Sequence, residues 1–282
     1  MQKDKKNIIW LASYPKSGNT WFRVFLSNLL LDSKEPVSIN QLEKTPIASA
    51  RNIFDEITGL SSGELSFEET DLLRPDVYRE YANSEDGLRF LKVHDAYTFL
   101  PDGKPMIPES VTKSAIFFIR NPLDVAVSFA HHSSSSTENM VKAMNNTNYA
   151  FCSKTDRIHN QLRQKLLTWS EHVESWTSNI PFPVLVLKYE EMLDNTYETF
   201  EKAVKFIGLE KNRQQIEKAL EFSRFDVLKS QEEKEGFKEK APDAEKFFRK
   251  GKSGSWKSEL SGELAMEIQH NHAEVMKKYG YT

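Results

Sequence analysis

The chain has 282 residues, a net charge of −3, 39% hydrophobic residues and one cysteine. A chain of this length can bury most of its apolar side chains, and we expect residues 1–282 to form a single domain. The small negative charge argues against general nucleic-acid binding, because that requires a strongly basic surface. The single cysteine, Cys152, excludes an intrachain disulfide and suits a reducing compartment.

The first predicted elements are a strand at 8–12 and a helix at 22–31. Residues 14–21 between them read Tyr-Pro-Lys-Ser-Gly-Asn-Thr-Trp. A strand, a tight loop and a helix in this order present backbone N–H groups and the positive end of the helix dipole to a phosphate. A lysine charge, hydroxyl groups and a glycine that allows close backbone approach suit the same ligand. The sequence therefore predicts an anion-binding loop formed by Lys16, Ser17, Gly18, Asn19 and Thr20.

The N-terminal region shows neither a leader nor a membrane-spanning pattern. Its apolar run at 8–12 is short for a signal peptide and continues directly into the loop. No apolar run approaches the roughly 20 residues that a spanning helix needs. We expect a cytoplasmic protein.

Further strand patterns precede other candidate functional segments. An alternating pattern at 90–93 leads to His94, and apolar runs at 115–119 and 184–188 lead to the segments that begin at Arg120 and Tyr189. Open parallel sheets bind ligands beyond the carboxyl ends of their strands. The chain therefore reads as an α/β nucleotide-binding fold.

The remaining segments are helical or irregular. Helical periodicity is clear at 161–178 and 196–207. Prolines and glycines make 33–86 too irregular for one assignment, and the serines and asparagines of 133–155 predict a mobile loop. The Lys- and Glu-rich segment 229–246 predicts a solvated, poorly ordered stretch or a lid.

Four motifs together resemble one family. The loop at 14–21 lacks the Gly-Lys-Ser/Thr order of the nucleotide hydrolases and resembles the 5′-phosphosulfate loop of the soluble, cytosolic-type sulfotransferases. These enzymes use 3′-phosphoadenosine 5′-phosphosulfate (PAPS). Residues 120–129 resemble the family's 3′-phosphate segment, and residues 249–257 resemble its RKGxxGxWK loop. Residues 91–94 match the position of its catalytic histidine.

The resemblance spans nearly the whole chain and implies a fold. We expect an α/β protein with a central, mainly parallel sheet flanked by helices, similar to the P-loop nucleotide kinases. We expect a bacterial-type member. The dimerisation motif of many animal relatives is not recognisable in 258–267, so the oligomeric state stays open.

The resemblance also implies roles at the reacting group. His94 would take the proton of the attacking hydroxyl. Lys16 would hold the 5′-phosphate and stabilise charge on the leaving oxygen. Lys92 would either neutralise the oxygens of the transferring group or be an edge-strand charge.

Donor binding would use residues from distant segments. Arg120 and Ser128 resemble ligands of the 3′-phosphate, which a guanidinium can contact through two donors. Aromatic faces suit stacking on adenine. The full set implied for the donor is Lys16, Ser17, Gly18, Asn19, Thr20, Trp21, Arg120, Ser128, Tyr189, Phe225, Arg249, Lys250 and Gly251.

We predict no metal, because the other histidines lack the partner spacing of a metal site and the family's chemistry needs no magnesium. His131 and His132 are expected to continue the helix of segment 120–129.

The acceptor is the part of the predicted reaction that the sequence constrains least. We expect a hydroxylated small molecule such as a phenol or sterol, with a larger glycosylated or peptide natural product as the alternative. A nucleotide kinase and a non-catalytic nucleotide-binding module are the rival functions. Five aromatic residues could line an apolar acceptor pocket or could pack the loops against the core: Phe54, Tyr78, Tyr81, Phe99 and Phe151.

Overall fold

The computed structural model describes residues 4–242 and 244–281. The chain divides into two compact units. The first comprises the described residues of Met1–Tyr14, Thr45–Phe117 and Asn146–Val186. The second comprises those of Pro15–Lys44, Phe118–Asn145 and Leu187–Thr282.

A four-stranded sheet has the strand order β2-β1-β3-β6, and its strands lie in the first unit except for the last two residues of β3 and of β6. β1 pairs in parallel with β2, with Ile8 opposite Arg89. An inner strand is covered on both faces, which is why every residue of β1 is buried. The strands are β1 (Ile8–Ser13), β2 (Arg89–Val93), β3 (Thr112–Ile119), the short antiparallel pair β4 (Ala150–Phe151) and β5 (Gln164–Lys165), and β6 (Val184–Lys188).

Helices make up most of the remaining chain, so the α/β prediction with a central parallel sheet and flanking helices is confirmed. A 3₁₀ turn spans Glu109–Val111. The helices are α1 (Asn19–Leu31), α2 (Arg51–Thr58), α3 (Phe67–Asn83), α4 (Pro122–His132), α5 (Thr137–Met144), α6 (Trp169–Thr177), α7 (Tyr189–Asp194), α8 (Thr196–Ile207), α9 (Arg213–Phe222), α10 (Phe225–Glu235), α11 (Trp256–Glu259), α12 (Gly262–Asn271) and α13 (Ala273–Tyr279).

Segment 33–86 is more regular than its composition suggests, because it contains α2 and α3. Ser66 accepts a hydrogen bond from the N–H of Glu69, whose carboxylate accepts from the N–H of Ser66 in return. This capping box starts α3, which then accommodates Pro75 in its interior. The Ser-x-x-Glu spacing was the signal that could have predicted this helix.

The prediction of one helix over 161–178 is wrong in its first half. Helix α6 begins at Trp169, where Thr168 and Glu171 form a capping box. Before it, the N–H of Leu162 donates to the carbonyl of Ser49 (2.8 Å), and that of Leu166 donates to Tyr149 (2.9 Å). These long-range bonds outweigh the local helical periodicity and keep residues 161–167 out of a helix.

Two segments expected to be irregular contain helices. Ser136 caps α5 within 133–155, and α10 covers the start of 229–246. The carboxylate of Glu232 then accepts the N–H groups of Phe247 (2.7 Å) and Phe248 (2.8 Å), which fixes the following loop. Asp243 lies outside the described residues.

In the second unit, α1 is anchored through aromatic side chains. The ring of Phe22 lies 5.2 Å from Phe118 and 5.6 Å from Phe200, and Phe25 lies 4.7 Å from Phe200. Such contacts add packing specificity to the burial of large apolar surfaces. Within the described ranges, no helix combines the length and apolar character that crossing a membrane requires.

Candidate active site

The loop at residues 15–20, here called the anion loop, connects β1 to α1. Lys16 has φ 68° and Gly18 has φ 99°, so the backbone turns through two left-handed positions. A Cβ atom on Gly18 would lie 2.8 Å from the ring of Tyr189. Residue 18 must therefore be glycine both for its dihedral angle and for the close approach of this ring.

Arg120 joins the anion loop to residues 249–257, here called the basic loop. Its Nη1 donates to the carbonyl of Lys16 and its Nη2 to the carbonyl of Lys252, both at 3.0 Å. The guanidinium also lies 4.3 Å from the ring centroid of Tyr189. The planar guanidinium thus brings three predicted site segments together.

Three buried polar atoms near these loops have no hydrogen-bond partner within residues 4–242 and 244–281: Ser17 Oγ, Trp21 Nε1 and Arg120 Nε. Buried polar groups are ordinarily satisfied, and a bound ligand or water is one way to satisfy them. A hydroxyl and a guanidinium N–H are donors that suit phosphate oxygens. The site therefore fits a phosphorylated nucleotide by the chemistry of its buried donors.

Lys16 lies in a setting that the sequence did not indicate. Its Nζ is 3.7 Å from the ring centroid of Phe247, a cation–π distance. Phe247 and Phe225 border a buried cluster that includes Phe248. The predicted adenine-stacking residue Trp21 borders the same cluster. The structure thus brings Trp21 and Phe225 to one apolar surface, with Tyr189 beside Trp21 at 6.3 Å.

The basic loop is held by a carboxylate that the sequence analysis did not single out. Asp124 Oδ2 accepts the N–H of Gly254 (2.6 Å), and its Oδ1 accepts that of Trp256 (3.1 Å). Asp124 is 2% exposed, so these bonds satisfy a buried charge. The aspartate in segment 120–129, three residues after a helix cap, was the available signal.

The side chains of Arg249 and Lys250 both contact Glu259, and His131 of α4 contacts the same carboxylate. Ser128 lies on α4 three residues before His131, so the two share a helix face. The prediction that His131 and His132 continue this helix is confirmed. Four of the residues implied for the 3′-phosphate, Arg120, Ser128, Arg249 and Lys250, therefore belong to one unit.

Gly251 has φ 60°, and a Cβ atom there would overlap the ring of Phe225. We predict that Gly251→Ala lowers the free energy of unfolding by about 1–3 kcal/mol, because the ring must move. Urea denaturation measures this loss. Gly254→Ala is the matched control: its φ is 78°, but nothing lies within 4 Å of the added Cβ. Equal losses in both variants would show that the Phe225 contact is unimportant.

His94 follows β2 in the first unit. Its Nδ1 lies 2.9 Å from the carbonyl oxygen of Ser13, and a carbonyl can only accept. Nδ1 therefore carries the proton, and Nε2 is the basic nitrogen.

Lys92, two residues before His94, is 8% exposed. The N–H of Lys92 donates to the carbonyl of Pro46, and the carbonyl of Lys92 accepts the N–H of Ala48, so this edge of β2 is covered.

Asp95, the residue after His94, is the centre of a buried polar network. Arg74 Nη2 donates to Asp95 Oδ2 (2.5 Å), and the N–H of Lys165 donates to Oδ1 (3.0 Å). Trp176 Nε1 donates to the Asp95 carbonyl (2.9 Å). Arg74 and Asp95 are each 1% exposed. The backbone beside His94 is therefore fixed by a paired charge that sequence reasoning missed.

The first unit also has a cavity of about 570 Å³, whose lining includes Arg51, Cys152, His159 and Arg163. None of the five aromatic acceptor candidates lines it. Phe54 and Tyr78 are at most 2% exposed, so for them the alternative of packing against the core is confirmed.

Within the described residues, no group of three or more His, Cys, Asp or Glu side chains is placed to hold a metal ion.

A parallel sheet, an anion loop at the end of its inner strand and an arginine that joins this loop to a second basic loop define an α/β nucleotide-binding protein. The family model described as "Sulfotransferase domain" matches residues 6–280, so the chain belongs to the sulfotransferase family. It is an enzyme, a PAPS-dependent sulfotransferase.

Named relatives are sulfotransferases, and a solved structure shares the fold. Cytosolic sulfotransferase 17 of Arabidopsis thaliana is 26% identical over 99% of this chain and 77% of its own length. Luciferin sulfotransferase of Photinus pyralis is 27% identical over 92% and 69%. Retinol dehydratase, solved with androsterone and the inactive cofactor PAP, matches with a TM-score of 0.63 and 20% identity, covering 97% of this chain and 81% of its own.

Proposed function

We propose that this enzyme transfers the sulfuryl group of PAPS to a hydroxyl of a small-molecule acceptor such as a phenol, a sterol or another alcohol. The names of the relatives support small acceptors, since one acts on luciferin and a solved neighbour holds androsterone. The alternative is a larger glycosylated or peptide acceptor. The relatives named cytosolic support a cytoplasmic location.

The observation that carries this proposal is the double contact of Arg120 with the carbonyls of Lys16 and Lys252. It brings the predicted 5′-phosphosulfate loop and the predicted 3′-phosphate loop within reach of one side chain. A donor that carries phosphates at both the 5′ and the 3′ positions of its ribose requires two such loops close together. Arg120 retains an unpartnered buried Nε among the described residues, which supports its assignment to the 3′-phosphate.

PAPS, when bound, supplies the activated sulfuryl group. In the proposal, Lys16, Ser17, Gly18, Asn19 and Thr20 bind the 5′-phosphate, and the Lys16 ammonium opposes negative charge that grows there. Ser128, Arg249, Lys250 and the Gly251 backbone bind the 3′-phosphate with Arg120. Trp21, Tyr189 and Phe225 contact the nucleoside.

We assign to His94 the role of base for the acceptor hydroxyl. Because Nδ1 donates to the carbonyl of Ser13, Nε2 can accept the proton of the acceptor hydroxyl. We assign Lys92 to the oxygens of the transferring group, because it lies in β2 two residues before His94, the spacing of side chains on one face of a strand, and its ammonium charge suits negatively charged oxygens.

The test is titration calorimetry with adenosine 3′,5′-bisphosphate (PAP) and adenosine 5′-monophosphate (AMP). We expect the wild type to prefer PAP. Arg120→Ala should weaken PAP by about 1.5–3 kcal/mol, the range for hydrogen bonds to charged groups. Arg213→Ala is the control, because its side chain is 73% exposed on α9 and its ion pair is with Glu217, which is not a proposed donor residue. Equal affinity of the wild type for PAP and AMP would refute the 3′-phosphate site.

A further inference from the structure

A carboxylate lies among the basic side chains of the proposed 3′-phosphate site. Glu259 is the last residue of α11, and its two oxygens are shared by three basic groups. Arg249 Nη1 lies 2.7 Å from Oε2, and Nη2 lies 3.2 Å from Oε1. Lys250 Nζ is 2.6 Å from Oε1, and His131 Nε2 is 3.0 Å from Oε2. Within the described part of the chain, Glu259 is the one carboxylate that forms ion pairs with these three residues.

The carboxylate of Glu259 lies where these basic side chains could bind another anion. A guanidinium that contacts both oxygens of a carboxylate can contact two oxygens of a phosphate in the same way. The side chain of Glu259 is 20% exposed, and those of Arg249 and Lys250 are 27% and 41% exposed. The cluster is therefore open enough for its contacts to be exchanged for those of a ligand.

The carboxylate stays charged under all physiological conditions. Partial burial works to raise the pKa of Glu259, but hydrogen bonds from Arg249, Lys250 and His131 outweigh it and lower this pKa to about 2. Protonation therefore does not release the basic residues near neutral pH. The negative charge of another anion can replace that of Glu259 as their partner.

We propose that Glu259 is an internal competitor of the 3′-phosphate, which lowers the affinity of the enzyme for 3′-phosphorylated nucleotides. This inference rests on the proposed function. In the absence of the donor, Glu259 holds Arg249 and Lys250 together. When the 3′-phosphate binds, these side chains transfer from a group with one negative charge to a group with up to two, so the exchange is favourable but weaker than binding to unpaired cations.

The competing interpretation is that Glu259 only positions the basic side chains for the ligand. The two roles predict opposite signs. Removing a competitor strengthens the binding of PAP, whereas removing a positioning residue weakens it.

The experiment is a calorimetric titration of the wild type and Glu259→Gln with PAP and with AMP. We expect the variant to bind PAP roughly three- to thirtyfold more tightly, the range for two partly exposed ion pairs. AMP affinity should be unchanged, because AMP lacks the 3′-phosphate. Unchanged or weaker PAP binding by Glu259→Gln would overturn the inference.

A matched control separates local competition from the long-range electrostatic effect of removing one negative charge. Glu263→Gln removes the same charge four residues later at an exposed position of α12. Equal tightening in this control would also overturn the inference. Glu259→Ser provides a second removal of the carboxylate if thermal unfolding shows that Glu259→Gln is destabilised.

A thermodynamic cycle adds a test of the contact itself. If Glu259 competes for Arg249, then Arg249→Ala costs more PAP affinity in the Glu259→Gln background than in the wild type. Equal costs would contradict the competition. A wild type that fails to prefer PAP over AMP refutes the proposed function, whereas a wild type that prefers PAP and a variant that does not bind it more tightly refute only the role of Glu259.

Discussion

His94→Ala is expected to lower kcat by ~10²–10⁴-fold, the usual contribution of a general base. The reason is that Nδ1 donates to the carbonyl of Ser13 and leaves Nε2 to accept the acceptor's proton. PAP affinity should change little, because His94 is not among the residues proposed to bind the donor and PAP lacks the sulfuryl group. Labelled PAPS with a panel of phenols and sterols identifies the acceptor that the wild type converts fastest, and kcat is compared on it.

Two further variants separate catalysis from structure. His94→Asn places an amide N–H where Nδ1 donates, so it can keep the bond to Ser13 while removing the base. We expect it to be as inactive as His94→Ala and more stable. His270→Ala, at an exposed position of α12, should keep full activity. A fully active His94→Asn would exclude His94 as the base.

Arg74→Ala is expected to destabilise the protein by about 3–5 kcal/mol, because it leaves the Asp95 carboxylate buried without its charged partner. The Arg74 guanidinium donates to Asp95 at 2.5 Å and 3.1 Å, and Nε donates to the Tyr78 hydroxyl at 2.9 Å. Burial disfavours the charge of Arg74, but Asp95 and the other nearby groups outweigh it and raise the pKa of Arg74. Urea denaturation followed by circular dichroism measures the loss.

Arg79→Ala is the control for this measurement. Arg79 lies on the same helix and pairs with Asp76, but its side chain is 35% exposed and that of Asp76 is 69% exposed. Such a pair contributes at most about 1 kcal/mol. Similar losses for the two arginines would show that the buried pair has no special importance. The double variant Arg74→Met with Asp95→Leu should lose less than Arg74→Ala, because it leaves no unpaired charge.

The part of the site that lies along one stretch of chain could be predicted from the sequence. The strand, loop and helix over residues 8–31 are seen as β1, the anion loop and α1. Helix α8 has the bounds that its periodicity predicts, and Gly208 ends it with φ 78°. Apolar periodicity and capping residues act over a few positions, so they can be recognised in the sequence without knowledge of the fold.

Extended segments and polar networks could not be predicted in this way. Residues 161–167 have helical periodicity, yet their N–H groups bond to Ser49 and Tyr149, and those partners exist only in the folded chain. Asp95 directly follows His94 in the sequence, but its pairing with Arg74 depends on helix α3, which composition alone left unassigned. The three basic partners of Glu259 are likewise visible only where α4 and the basic loop meet.

The sequence by itself therefore determined the class of enzyme, the order of its strands and helices around the anion loop, and the residue types available to bind a phosphorylated donor. The tertiary structure decided which of those residues share a partner. Arg120 contacts carbonyls 104 and 132 residues away along the chain. Local propensities carry no information about such separations, because the cost of closing these loops is met by contacts throughout the folded unit.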